Sequence, residues 1–186
     1  MAGASVEEIC EQAAFTRGAF YSNFRDKDDL AVALIEDYSQ GEIARAEQAV
    51  DAIERAVVGS STTPATVAEF IRRALRLFSS REESPLQYAL VFSELSLYAA
   101  RNPPVRAVFA LLDEYIENSV TTIISRGLAA TNLRLTVPTA QAIQLLKAAV
   151  NGSMVIGRLQ RGDEDDDDAI IEPLTEMIMT MTEPID

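Results

Sequence analysis

Polar side chains between residues 16 and 27 offer the clearest chemistry in this sequence. Arg17 can donate paired hydrogen bonds to a guanine edge, and the small Gly18 and Ala19 beside it would let a helix approach base edges in a major groove. Hydroxyl, amide and ammonium donors suited to phosphate oxygens flank them: Thr16, Tyr21, Ser22, Asn23 and Lys27. The segment therefore suits contact with DNA, although a polar helical hairpin on a protein surface would contain similar residues.

Three helix starts would position these side chains. The residues with the type and placement of N-caps are Ser5, Thr16 and Asp26. Ser5 is followed three residues later by Glu8, the pattern of a capping box. Thr16 would open a second short helix that ends near Phe24, and a third helix would begin at Lys27. The sequence thus predicts two short helices joined by a tight turn and followed by a long one.

The stretch from Ala13 to Phe24, followed by Lys27 to Leu30, resembles the second and third helices of the helix-turn-helix of TetR-family transcriptional regulators. The resemblance implies an all-α fold whose recognition helix, residues 16–24, lies in the major groove. It also implies a homodimer on palindromic operator DNA with two half-sites. The DNA-binding candidates are Ser5, Thr16, Arg17, Gly18, Ala19, Tyr21, Ser22, Asn23 and Lys27.

Two features depart from the family pattern. Ala14 stands at the turn, where members usually have Gly, and a positive φ there would cost Ala on the order of 1 kcal/mol. The family's first helix would precede Ser5, where only Met1 to Ala4 are found. The DNA-binding unit is therefore expected to be poorly ordered. The alternatives are a wrong start, a truncated chain or a member that has lost strong DNA binding.

The chain is acidic, with a net charge of −13. Within residues 1–40 the bases are Arg17, Arg25 and Lys27, and the acids are Glu7, Glu8, Glu11, Asp26, Asp28, Asp29, Glu36 and Asp37. Phosphate contacts need Lys and Arg. DNA binding is therefore expected to rest on a few directed contacts and to weaken at modest salt concentration.

Length and composition indicate a globular protein. Its 186 residues, 48% hydrophobic and 24% charged, suffice for a small and a larger helical domain. We expect a helix-turn-helix domain over residues 1–45 and a helical bundle for ligand binding and dimerisation over residues 46–186. The single Cys and the lack of an apolar run of spanning length favour the cytoplasm over a membrane.

Helix signals continue to the C-terminus without convincing strand alternation. Residues 86–100 are apolar almost all round, which is typical of a helix in the middle of a bundle. A polar loop is expected over residues 130–136, and Pro173 should lie in the first turn of the last helix or follow a separate turn. The other expected helices are residues 27–58, one opened by Thr63 and Pro64, residues 103–127 and residues 138–161.

Aromatic residues along the later helices suggest a binding cavity. They are compatible with a moderately apolar small-molecule effector, although most would also fit a plain core. Glu94, an acid within a mostly apolar helix, would either anchor a ligand or pair with an internal Arg. The candidate pocket residues are Phe78, Tyr88, Phe92, Glu94, Tyr98, Phe109 and Tyr115.

The helix expected over residues 138–161 is apolar on two sides, and the simplest second packing partner is its own copy. With the last helix it predicts a four-helix dimer interface. The acidic run over residues 163–168 lacks the ligand spacing of a calcium loop and is interpreted as a solvated loop. The interface candidates are Leu145, Ala149, Ser153, Ile156 and Gly157 on one helix and Ile171, Leu174 and Ile178 on the other.

An enzyme is poorly supported. The chain has no His, the usual base near neutral pH and the commonest metal ligand, and it has no phosphate loop or metal-spaced cluster. We therefore expect no cofactor and no metal. The interpretation is a one-component regulator, most simply a repressor, whose recognition helices change their spacing when an effector binds. The alternative is a helical homodimer that binds a small molecule or a protein partner without specific DNA binding.

Overall fold

The fold is all-α, as the sequence predicts. The computed structural model describes residues 3–59, 63–80, 84–153, 157, 160 and 168–185. Eight helices and two short strands lie within these residues. They are α1 (Val6–Gln12), α2 (Arg17–Asn23), α3 (Lys27–Val57), α4 (Pro64–Ser79), α5 (Pro85–Arg101), α6 (Pro103–Thr131), β1 (Leu133–Leu135), α7 (Thr139–Gly152), α8 (Asp168–Thr180) and β2 (Thr182–Pro184).

Side-chain caps fix the starts of the first helices. At α1 the Ser5 backbone N–H donates to Glu8 Oε2 at 2.7 Å and the Glu8 N–H donates to Ser5 Oγ at 3.2 Å, which completes the capping box. Thr16 Oγ1 accepts from the third N–H of α2 at 3.1 Å. Asp26 caps α3 in the same way at 2.9 Å, and Thr63 caps α4. The predicted cap positions are confirmed. Each cap depends only on residues three apart, so the sequence alone is enough to predict it.

The 31-residue helix α3 runs through both halves of the described fold. Near its start it joins α5 and α6 in a buried cluster formed by Ala31, Ile35, Leu95, Ala99 and Val105. Near its end it joins α4 in a second cluster, where Ala49, Ile53 and Ala74 pack with Phe70 and Phe78. Since α3 crosses residues 45 and 46 without a break, the proposed division of the chain at that point stays a prediction.

The end of α6 differs from the sequence prediction. The helix passes Gly127 and ends at Thr131, and its C-cap Asn132 is left-handed with φ of 54°. Residues 133–135, predicted as loop, form a strand that pairs antiparallel with β2, with Leu133 opposite Pro184. The prediction of no strand is therefore wrong. Three-residue strands from distant parts of the chain show too short a pattern for alternation to reveal them.

Two predictions about individual helices are also wrong. Helix α5 is not covered on all sides within one chain, because Leu90 and Leu97 are 50% and 49% exposed. Pro173 lies in the second turn of α8 as described, and residues 169–171 before it belong to the same helix, so Pro173 lies neither in the first turn nor after a separate turn. Helix α8 packs on α4, and two ion pairs join them: Arg72 Nε to Glu172 Oε1 at 2.8 Å and Arg76 Nη2 to Asp168 Oδ1 at 3.0 Å. In the described part of the chain, no helix is long and apolar enough to cross a membrane.

Candidate functional site

Helix α2 presents one polar face outward. Phe20, which is 6% exposed, lies on the buried side of the helix. Its ring packs edge-on against the Tyr21 ring, with centroids 5.3 Å apart, and at a tilt against the Phe24 ring, with centroids 5.6 Å apart. On the outer side Arg17, Gly18, Tyr21 and Ser22 are all exposed. At about 100° per residue these four positions fall within an arc of roughly 140°. The arrangement leaves a narrow strip of small and polar groups that can enter a groove.

Several DNA-binding candidates also serve their own helices. Ser22 Oγ and Asn23 Nδ2 donate to the Ala19 carbonyl at 2.8 and 2.9 Å. Thr16 and Ser5 are the N-caps described above. Ala19 itself is half-buried. These side chains therefore shape the turn and the helix, whereas Arg17 and Tyr21 extend from the outer face.

Each of the three bases in residues 3–40 has a partner within the chain. Arg17 Nη1 lies 2.7 Å from Glu7 Oε1, and its guanidinium carbon is 6.0 Å from the centre of the Tyr21 ring. Arg25 Nη2 contacts Asp29 Oδ1 at 2.5 Å, and Lys27 Nζ donates to the Ala4 carbonyl at 2.7 Å. Sequence reasoning missed the pair between Glu7 and Arg17, since it joins two helices across a turn.

The turn between α1 and α2 places Ala14 in the left-handed region, with φ of 55°. The neighbouring Ala13 has φ of −82° and ψ of −1°. The turn is closed by hydrogen bonds from the Ala14 N–H to the Glu11 carbonyl at 3.2 Å and from the Phe15 N–H to the Cys10 carbonyl at 2.9 Å. The positive φ that Gly would satisfy is thus adopted by Ala in this chain.

The first turn of α3, which follows this helical pair, is bonded to the end of α5. Asp28 Oδ1 accepts from the Tyr98 hydroxyl and from Asn102 Nδ2, both at 2.5 Å. These hydrogen bonds, the one from Tyr98 foremost, hold the pKa of Asp28 below its ordinary value because they favour the carboxylate. Tyr98, predicted to face a pocket, lies instead at the contact between the start of α3 and the end of α5.

A cavity of about 340 Å³ lies among α3, α4, α5, α6, α7 and α8. Four of the predicted pocket residues form part of its wall: Phe78, Tyr88, Phe92 and Phe109. Its wall also contains Tyr38 and Glu42, one turn apart on α3, which sequence reasoning missed. All of the predicted pocket residues lie on helices that follow α3. The spacing of Ile35, Tyr38 and Glu42 on one face was the signal that could have found them.

Three predicted pocket residues lie outside the wall described for this cavity. Glu94 is exposed, Tyr115 is 57% exposed, and Tyr98 binds Asp28. Helical phase explains the difference, because Glu94 is about 200° around α5 from Phe92 and Tyr115 about 240° around α6 from Phe109. The prediction that these three line a pocket is wrong for this cavity.

The predicted dimer residues on α7 and just after it differ in how exposed they are. Leu145 is 44% exposed, Ala149 and Ser153 are half-buried, and Gly157 is buried. Ile156 and the acidic residues 163–167 lie outside the described residues.

On α8 the predicted interface residues lie largely within one chain. Ile171 and Leu174 are 0% and 5% exposed within one chain, and Ile178 lines the cavity. The apolar stripe of α8 faces its own bundle, where Ile170, Ile171 and Leu174 are buried, so Ile171 and Leu174 have almost no surface to give to a partner.

The remaining ionisable groups do not assemble a metal site in the described residues, where no three acids or cysteines are placed to hold an ion. Cys10 is buried on the inner side of α1. The arrangement offers contact surfaces and a cavity.

The geometry of α1, the turn and the outward face of α2 defines a helix-turn-helix DNA-binding regulator. Residues 1–34 match the family described as bacterial regulatory proteins, tetR family. The match covers α1, α2 and the start of α3 and supports a TetR-type regulator. No curated protein and no solved structure matches the chain.

Proposed function

We propose that the chain is a homodimeric transcriptional repressor that binds a palindromic operator and is released by a small-molecule effector. The observation that supports this most directly is the course of α3. Lys27 in its first turn donates to the Ala4 carbonyl at the start of the DNA-binding unit, and its next turns carry Ile35, Tyr38 and Glu42 in the cavity wall. One rigid helix thus connects the two sites that such a regulator must couple.

In this proposal an effector in the cavity favours an arrangement of α3 and α5 that separates the two recognition helices from adjacent major grooves. A ligand shifts such an equilibrium only by its differential affinity for the two states. A tenfold to hundredfold loss of operator affinity requires coupling of about 1.4–2.7 kcal/mol. Equal effector affinity for free and DNA-bound protein would refute this mechanism.

Arg17 is the proposed base-reading residue, because it extends from the exposed face of α2 and its guanidinium can pair with a guanine. Tyr21 and Lys27 are proposed phosphate contacts, with Ser5, Thr16, Ser22 and Asn23 holding the helices in place. Residues 1–45 would form the DNA-binding domain and residues 46–186 the effector and dimer domain. Leu145 and Ala149 on α7 are the proposed dimer contacts on the described surface.

The test is salt-titrated binding to DNA from upstream of the chain's own gene. Arg17→Ala should weaken binding to the preferred sequence by roughly 1–3 kcal/mol and relax specificity at one base pair. Arg73→Ala removes the same charge from an exposed position on α4 and serves as the matched control. Equal losses in the two variants would contradict the role of Arg17, since they would indicate only a general charge effect.

A second function is favoured by one observation. Residues 1–40 contain eight acids and only three bases, and each of the three bases already contacts another group of the chain. A helical homodimer that binds a small molecule or a protein partner without specific DNA binding would have this character. Sedimentation that detects a dimer, together with DNA binding that shows no sequence preference at any salt concentration, would favour it over the repressor.

A further inference from the structure

The turn between α5 and α6 carries two exposed arginines. Arg101 ends α5, and Arg106 lies in the first turn of α6. Arg106 Nη1 donates to the Ala100 carbonyl at 3.4 Å, so its guanidinium folds back towards the end of α5. In the part of the chain that the structure describes, neither guanidinium has a carboxylate partner within 4.0 Å. Glu94, on the same face of α5 as Arg101, lies two turns earlier, about 10.5 Å along the helix axis.

This turn is bonded to the start of α3. Asn102, which follows Arg101, donates through Nδ2 to Asp28 Oδ1 at 2.5 Å. The residue before Asp28 is Lys27, whose Nζ donates to the Ala4 carbonyl at 2.7 Å, at the start of the DNA-binding unit formed by α1 and α2. The α5–α6 turn, the first turn of α3 and the start of the DNA-binding unit therefore meet at one end of the molecule.

The DNA-binding unit has few cations of its own to offer to phosphates. Arg17 is paired with Glu7 at 2.7 Å, and Arg25 is paired with Asp29 at 2.5 Å. Each of these arginines must leave a carboxylate before it can bind a phosphate, whereas an arginine without such a partner binds without that cost. Exposed arginines at the adjoining turn would therefore add directly to the affinity for DNA.

We propose that Arg101 and Arg106 contact backbone phosphates of the operator, so that the helical bundle itself forms part of the DNA interface. The proposal rests on the proposed function and extends it to contacts outside the helix-turn-helix. The phosphates concerned lie next to the one contacted by Lys27. Arginine binds phosphate through charge-assisted hydrogen bonds that carry no base information. These contacts therefore raise the affinity for every sequence and leave the choice of base pair to Arg17.

Salt-titrated operator binding tests the proposal. The plot of log affinity against log salt concentration loses about 0.9 of its slope for each phosphate contact removed. Arg101→Ala and Arg106→Ala each remove one contact from both subunits of a dimer. Each should therefore lower the slope by about 1.8 and weaken binding severalfold, with the base-pair preference unchanged. A slope equal to that of the wild type in both variants would overturn the proposal.

Arg55→Ala is the matched control. Arg55 is also exposed, but it lies in the last turn of α3, about 42 Å along the helix axis from Lys27. That distance is several times the Debye length of about 10 Å at 0.1 M salt. Arg55→Ala should therefore keep the wild-type slope. An equal loss of slope in Arg55→Ala would overturn the proposal, because it would indicate only the change in net charge.

Two further measurements separate a phosphate contact from a structural effect of the turn. Arg101→Lys and Arg106→Lys keep the charge and should retain most of the slope, whereas a loss as large as in the Ala variants would indicate a displaced turn and overturn the proposal. Ethylation of the phosphates next to the Lys27 contact should block the wild type and have little effect on the double Ala variant. An ethylation pattern common to both proteins would also overturn it.

The outcomes distinguish this proposal from the repressor function. Sequence-specific binding with an unchanged slope in the Ala variants rejects the two arginine contacts alone. Binding without sequence preference that still loses slope in the Ala variants, but not in Arg55→Ala, supports the contacts and rejects the repressor. No DNA binding by the wild type at any salt concentration rejects both.

Discussion

Replacement of Ala14 by Gly should stabilise the helix-turn-helix unit. Ala14 has φ of 55°, a left-handed conformation that costs an L-residue roughly 1–2 kcal/mol. Gly adopts this conformation without a steric penalty, but it loses more chain entropy on folding, about 0.5–1 kcal/mol relative to Ala. The difference predicts a net gain of about 0.5–1 kcal/mol in the free energy of unfolding of this unit.

The neighbouring residue provides the matched control. Ala13 is also exposed and also loses one methyl group on replacement by Gly, but its φ is −82°. No strain is relieved there, so Ala13→Gly should lower the free energy of unfolding by about 0.5–1 kcal/mol. The two variants should therefore differ by roughly 1–2 kcal/mol in opposite directions.

Amide hydrogen exchange in α1 and α2 measures the local stability of this unit, and urea unfolding of the whole chain measures global stability. Exchange reports local opening, which can precede global unfolding in a small terminal unit. Slower exchange in Ala14→Gly and faster exchange in Ala13→Gly would agree with the argument. If Ala14→Gly accelerates exchange as much as Ala13→Gly does, the left-handed conformation of Ala14 carries no strain and the reasoning is refuted.

Two further predictions concern the partners of the DNA-binding unit. Glu7→Gln should raise operator affinity by up to about fivefold, because it releases Arg17 from an exposed ion pair that contributes roughly 0.2–1 kcal/mol. Glu11→Gln on the same helix should change the affinity less. Equal effects of the two variants in a salt-matched binding assay would count against the pair. Tyr98→Phe should destabilise the chain near neutral pH and flatten its loss of stability in acid. The lowered pKa of Asp28, caused first by the Tyr98 hydroxyl, contributes stability above its unfolded pKa of about 3.9, and that contribution is lost as pH falls through the folded value. Urea unfolding of both proteins between pH 7 and pH 2 measures this, and parallel pH curves would oppose it.

Helix starts and the helix-turn-helix were predictable because their determinants are local. The caps at Ser5, Thr16 and Asp26 depend on groups three residues away, which any chain of this sequence brings together once a helical turn forms. The need for a positive φ at Ala14 followed from the family pattern. The outward position of Arg17 on α2 likewise follows from helical phase.

The cavity was predicted only in part. Tyr88, Phe92 and Phe109 lie in its wall, but residues at other phases of the same helices, such as Glu94 and Tyr115, do not. Aromatic composition alone cannot tell which face of a helix turns inward when most of its residues are apolar. That choice depends on how α5 and α6 rotate against α3, which is set by packing in the clusters around Ile35.

By itself the sequence determined where helices begin, the family of the N-terminal unit and the acidic character of the chain, since all three depend on neighbouring residues or on composition. Only the tertiary structure decided the contacts between distant residues. It placed Glu7 beside Arg17, stacked Tyr38 on Tyr88, and turned Ile171 into the core and away from a partner surface. The physical reason is that burial and pairing depend on the orientation of whole helices, and that orientation is a property of the packed bundle.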